Sequence, residues 1–267
     1  MNTNDVSSLK NWFAGYVSRF YTDDPEYNRP IHLKEEHTGR VCGNIIMIGK
    51  ELGLSSGDMI TAEIIALFHD VGRFRQYELY RTFVDALSEN HARLGLRQVG
   101  IHKVFSGFPG DKKLLISKAI AYHNAAFLPE GEDEKALFFM KLIRDADKLD
   151  IWRVFLDYFK EKPSSDTIIL GLPDTPSFSE KILKSIHRHE FAKMMDLKNL
   201  NDFKLLQVSW VFDINFIPSF RLIKKNNCIG MLEETLPRKK EISDAIKMAC
   251  DYVDSKLINA PKAPLNS

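Results

Sequence analysis

The side chains best equipped to do chemistry in this chain are histidines and aspartates set at helix-to-helix distances. His69 and Asp70 are adjacent at the end of an apolar helical stretch. Neighbours on a helix point about 100° apart, so the pair can grip one metal ion only where the helix end aims both at it. The second oxygen of Asp70 can then bridge to another ion. His37 lies 32 residues before His69, and His91, His123 and Asp147 follow it by 22, 54 and 78. Each falls in a separate apolar, periodic stretch. Helix bundles build metal sites in this way, from inward side chains on facing helices.

The elements that must carry these residues are helices. Val6, Leu9, Trp12, Phe13, Tyr16, Val17 and Phe20 form one apolar stripe at spacings of three and four, which predicts a helix over 4–20. A loop is expected over 21–30. The next helix runs over 31–52 and carries His37, with Gly53 stopping it. Ser55 or Ser56 caps the helix that ends at His69 and Asp70. Residues 73–86 mix aromatics and charges without a clean period and read as an ordered loop. Ser88 reads as the cap of the helix holding His91. Helices over 112–124 and 134–160 bring in His123 and Asp147. A softer boundary rich in Pro and Ser spans 162–178, three or four further helices fill 179–257, and the last ten residues look frayed. With no convincing alternating strand run, the expected fold is all-α.

His37, then His69-Asp70 followed by Val-Gly-Arg, then Asp147 within Arg-Asp-Ala-Asp-Lys-Leu-Asp over 144–150 resembles the HD-domain metal-dependent phosphohydrolase superfamily. His91 and His123 make the pattern similar to the members that hold two metals, a subset that includes cyclic-nucleotide and cyclic-dinucleotide phosphodiesterases. The Gly-Tyr-Pro signature of the cyclic-dinucleotide enzymes is absent, Asn124 stands where they double the histidine, and Arg73 stands where they typically carry a lysine. The resemblance covers about residues 30–155. It implies an HD-type helical domain over 1–160 and a helical C-terminal extension over 161–267 packed on the same domain.

The same resemblance implies one ion held by His37, His69, Asp70 and Asp147, and a second that shares Asp70 and takes His91 and His123. Asp145 is the fallback for Asp147, and Asp150 reads as a salt-bridging or orienting group. The cofactor is one or two divalent ions drawn from Mn, Fe, Co, Ni, Zn or Mg. The implied reaction is hydrolysis of a small phosphate mono- or diester, a nucleotide in the first instance, by a metal-activated water. The alternative is a non-catalytic metal- or nucleotide-binding module with a regulatory role. Asp70 takes part in the chemistry. Arg73, Arg144 and Lys148, each within four residues of a ligand position, are the candidate phosphate-neutralising cations. Arg73 is expected to swing back over the metals from a backbone freed by Gly72, and Arg144, three residues before Asp147, is better placed than Lys148. His32, His102, His187 and His189 are left unassigned, because a single histidine on a mostly apolar helix is more often a hydrogen-bonded core residue than a ligand.

Composition narrows the partners. The chain has 267 residues, 37 basic and 36 acidic, for a net charge of +1. That balance gives no support to nucleic-acid binding. Three widely spaced cysteines, Cys42, Cys228 and Cys250, suggest neither a disulfide framework nor a CxxC metal site. A cytoplasmic setting is expected, with no secretion signal and no membrane segment.

Overall fold

The computed structural model describes residues 3–161 and 171–260. The expected fraying at the extreme C-terminus and most of the expected boundary lie outside them. Among the described residues there is no strand, and the fold is all-α. The chain divides into two compact units, with the division falling inside one long helix, between Val154 and Phe155.

In the first unit, α1 (Thr3–Val17) buries Val6, Leu9, Phe13, Tyr16 and Val17, the stripe its spacing predicts. Its aromatics continue inward, with Phe13 edge-on to Phe68 and Phe74. Helix α2 (Pro25–Glu51) starts within the segment expected to be a loop. Asp24 caps it by accepting from Glu26 N at 2.9 Å, and Pro25 occupies a first-turn position, where a missing N–H costs nothing. Gly53 ends it at φ +72°. Helix α3 (Ser56–Phe68) is capped by Ser55 and terminates at His69.

Helix α4 (Gly72–Tyr80) replaces the expected loop over 73–86. Its buried face mixes Phe74 and Tyr77 with the wholly buried amide of Gln76. An inward polar residue is what hid the helical period. After the 3-10 turn Asp85–Leu87, α5 (His91–Ile101) is capped by Asn90, whose side chain accepts from Arg93 N at 3.0 Å. Ser88, the expected cap, instead donates to Val84 O and accepts from Gln76. Helix α6 (Gly110–Tyr122) ends on His123, and α7 (Glu134–Glu161) is the long helix that carries Asp147. Helix α3 packs on α1, α2 and α6, while α5 packs on α4 and α6.

The second unit holds five α-helices among its described residues, more than the three or four expected: α8 (Glu180–His187), α9 (Leu200–Ser209), α10 (Ile217–Lys225), α11 (Cys228–Glu234) and α12 (Lys240–Ile258). Asn227, in the left-handed region, breaks α10 from α11 after the polar run Lys224-Lys225-Asn226. Helix α12 packs on α8, α9, α10 and α11. Among the described residues, no helix is long and apolar enough to cross a membrane.

Candidate metal centre

Five elements deliver the six expected ligands. His37 sits within α2, and His69 and Asp70 occupy the tight turn between α3 and α4, where Arg73 N bonds Asp70 O at 2.9 Å. His91 is the first residue of α5, His123 the cap of α6, and Asp147 lies on α7. All four imidazoles are buried, as is Asp70.

Each imidazole is anchored at Nδ1. His69 Nδ1 lies 2.7 Å from Ala66 O, and His123 Nδ1 lies 2.7 Å from Ile120 O. A carbonyl oxygen only accepts, so both Nδ1 atoms carry the proton. His37 Nδ1 is 2.7 Å from Asp150 Oδ2, and His91 Nδ1 is 2.8 Å from Asp85 Oδ2. These are the outer partners that metal-binding histidines use to fix tautomer and ring orientation. Every Nε2 therefore presents a lone pair.

The Nε2 atoms converge. His37 Nε2 is 3.1 Å from Asp147 Oδ1 and 3.6 Å from Asp70 Oδ2. His69 Nε2 is 3.6 Å from Asp147 Oδ1 and 3.9 Å from Asp70 Oδ2. On the other oxygen of Asp70, His91 Nε2 stands at 3.2 Å and His123 Nε2 at 3.7 Å. Asp70 thus offers one oxygen to each histidine pair. Within the pairs, Nε2 faces Nε2 at 3.4 Å (His37 and His69) and at 3.0 Å (His91 and His123). Opposed lone pairs beside carboxylates call for a cation, and the donor set of imidazole nitrogen plus carboxylate oxygen fits a first-row transition ion. His37–His69–Asp70, His69–His123–Asp147 and Asp70–His91–His123 are each compact enough to hold one.

Electrostatics hold the carboxylates ionised. Burial pushes Asp70 up, but Lys34, Arg73 and His69 keep it well below the usual carboxylate range. Burial likewise opposes the ionisation of Asp147, and the adjoining imidazoles of His37 and His69 reverse the effect. Asp85 is held at about 2, with burial outweighed by the hydrogen bond and charge of His91 and by Arg73. Burial pulls His123 down to about 4, against the opposing influence of the Asp70 carboxylate. That shift has a measurable sign. The unfolded chain protonates His123 below about 6.5 while the folded chain resists until about 4, so stability present above 6.5 is lost as the pH falls through that window. His37 is shifted upward and so acts above 6.5, in the opposite sense. Urea melts of metal-free protein should weaken from pH 7 to pH 4, and His123→Asn should flatten that part of the curve. Equal slopes would contradict the buried neutral imidazole.

The remaining expected residues take other posts. Asp150 orients His37 and is itself gripped by Arg40 at 2.6 and 3.2 Å. Asp145 is buried on α7, and no compact metal-holding group among the described residues includes it. Arg144 points Nη1 at backbone carbonyls, 2.5 Å from Ala125 O and 3.3 Å from His123 O. Through these contacts it fastens the end of α6, and hence His123. Arg73 is near the centre, with Nε 3.4 Å from Asp70 Oδ1, but its Nη1 is bonded to Phe83 O, Gln76 and Asp85. Gly72 does not free it to swing, because Gly72 begins α4. Lys148 is buried beside Asp147 in sequence.

Two residues escaped the sequence reading. Lys34 Nζ lies 2.8 Å from Asp70 Oδ2. Its only signal is its place one helical turn before His37. Asp85, in the segment expected to be an ordered loop, accepts from His91, Arg73, Gln76 and Asn124. Of the histidines left unassigned, His102 packs tilted against Trp12 and edge-on to Tyr16, and His32 pairs with Glu36 on the surface.

Residues 35–152 match the HD domain family, a span that contains all six converging side chains. No curated protein and no solved structure matches the chain.

Proposed function

With residues 35–152 an HD domain, the module of the metal-dependent phosphohydrolase superfamily, we propose that this protein is a divalent-metal-dependent phosphohydrolase acting on a small phosphate mono- or diester, in the first instance a nucleotide. The observation that carries it is the anchoring of all four imidazoles at Nδ1 so that Nε2 converges on Asp70 and Asp147. In this proposal the chemistry belongs to residues 1–160, and residues 161–267 form a helical extension.

His37, His69, Asp70 and Asp147 would hold one ion, and Asp70, His91 and His123 a second. A bound ion supplies Lewis acidity toward phosphoryl oxygen and lowers the pKa of water. The imidazole-rich donor set favours Mn, Fe, Co, Ni or Zn over Mg, which prefers oxygen. Asp150 and Asp85 keep the imidazoles of His37 and His91 in the ligating tautomer. Lys34 and Arg73 place positive charge on either side of Asp70, where phosphate charge needs neutralising, with Lys148 a further buried charge nearby in sequence. Arg73 is tied by four acceptors, so Lys34, with 16% of its side chain exposed, is the cation with reach. Phe83 lies beneath both, 5.5 Å from Lys34 Nζ and 5.8 Å from the Arg73 guanidinium, with the Tyr77 ring tilted against it at 5.3 Å. That aromatic wall supports a substrate with a planar base. The three cysteines are unpaired, which fits a cytoplasmic setting.

The test is a screen of the metal-reconstituted full chain against nucleotides, cyclic nucleotides and sugar phosphates. Metal-dependent release of phosphate, or opening of a cyclic ester, is expected. Bound metal with no turnover on any ester would replace the enzyme with a non-catalytic binding module. Within the active enzyme, Lys34→Gln should cost about tenfold or more in kcat/KM, the worth of a charge-assisted contact of about 1.5–3 kcal/mol, while metal content stays unchanged. Unaltered kinetics would move the phosphate contact elsewhere.

A further inference from the structure

The two histidine pairs are built alike but braced differently. In each, the residues are 32 apart, and the second histidine caps a helix and bonds the carbonyl three residues back. In each, the first histidine gives its Nδ1–H to a carboxylate. The carboxylate behind His37, Asp150, is 1% exposed and held at both oxygens by Arg40, which lies on the same helix as His37. The carboxylate behind His91, Asp85, is 29% exposed and sits on a three-residue 3-10 turn. It is shared among Arg73, Gln76 and Asn124. The donor sets differ as well. Asp147 Oδ1 stands 3.1 Å from His37 Nε2 and 3.6 Å from His69 Nε2, whereas the close carboxylate contact of His91 and His123 Nε2 is with Asp70 Oδ1, at 3.2 and 3.7 Å.

We propose that Asp85 is a positioning residue that sets the occupancy of the Asp70–His91–His123 half, and that this half is the exchangeable part of the centre. With Asp70 as its close carboxylate, that half depends on imidazole basicity for its affinity. A carboxylate at Nδ1 raises this basicity and fixes the ring. The brace is partly open to solvent and mounted on a turn, so it yields more readily than the Arg40–Asp150 clamp. Arg73 joins the two ends, touching Asp70 Oδ1 through Nε and Asp85 Oδ1 through Nη1. The turn between α4 and α5 therefore determines whether the centre holds one ion or two. This role presupposes the metal centre proposed above.

The experiment is a titration of cobalt(II) into the metal-free full chain, followed by calorimetry and by visible absorption, with Asp85→Ala, Asp85→Asn and Asp150→Asn alongside. Wild type should bind two equivalents of unequal affinity. Asp85→Ala should leave the tighter step unchanged and weaken the second about 10- to 100-fold, the usual cost of removing an outer partner. Asp85→Asn keeps an oxygen that can accept from Nδ1 and should fall between. Asp150→Asn should weaken the tighter step instead. Thermal unfolding of the metal-free variants separates a loss of positioning from a loss of fold. A wild type that takes one equivalent, or an Asp85→Ala that weakens both steps together or neither, overturns the proposal and leaves hydrolysis by a single ion standing. Failure to bind cobalt at all overturns the metal centre itself.

Discussion

Asp70→Ala is expected to empty the centre and lower turnover by about a thousandfold or more. Asp70 reaches both halves, with Oδ2 toward His37 and His69 and Oδ1 toward His91 and His123. Its loss takes an anionic donor from each. A metal acting as Lewis acid contributes several kcal/mol to transition-state stabilisation, and each 1.36 kcal/mol is tenfold in rate, which sets the size of the drop. Lys34 and Arg73 would also lose their shared acceptor. The check is elemental analysis together with thermal melts. Added metal should raise the Tm of wild type, because a ligand that binds only the folded state stabilises it, and should leave the Tm of Asp70→Ala where it was. A variant that retains metal at the wild-type ratio would mean that Asp70 is not a ligand.

Gly72→Ala should be among the most destabilising single-carbon changes in the chain. A Cβ at Gly72 would overlap the carbonyl oxygen of His91 and come within 2.5 Å of Gly95 N and 3.0 Å of Gly95 Cα. All three obstacles are backbone of α5, so no side chain can rotate away. Overpacking of a tight site costs about 1–3 kcal/mol even where side chains can adjust. Here the upper end or more is expected, which corresponds to a fall in Tm of about 6–12 °C. Because the atom displaced belongs to His91, the His91 half should lose affinity as well. Thermal unfolding and a metal titration on the same preparation measure both. A neutral Gly72→Ala would show that α4 and α5 part easily.

The comparison of sequence with structure turns on where polar residues face. The stripe of α1 was legible because it is purely apolar on one side. The converging residues are legible through their spacing, one to each expected helix, and through the adjacency of His69 and Asp70 at a helix end. Asp150 could be read as an orienting group from its spacing to Asp147. Helix α4 was hidden for the opposite reason: Arg73 and Gln76 turn inward to serve Asp70 and Asp85, and this erases the contrast on which periodicity depends. Asp85 gave no local sign, since its partners lie on three different segments. Lys34 looked like any helical surface lysine until α2 and the His69–Asp70 turn came together. Gly72 was read as conformational freedom when its use is close packing. Arg144 was read by its charge, whereas its position relative to the end of α6 decides what it bonds.

The centre itself is tested most directly by anomalous diffraction from crystals of the manganese-loaded protein. An anomalous peak is expected among Nε2 of His37, Nε2 of His69 and the carboxylates of Asp70 and Asp147, with the imidazoles still held at Nδ1 by Asp150 and Ala66 O. A map with manganese bound elsewhere, and nothing between those four side chains, would contradict the metal centre and the hydrolytic function drawn from it.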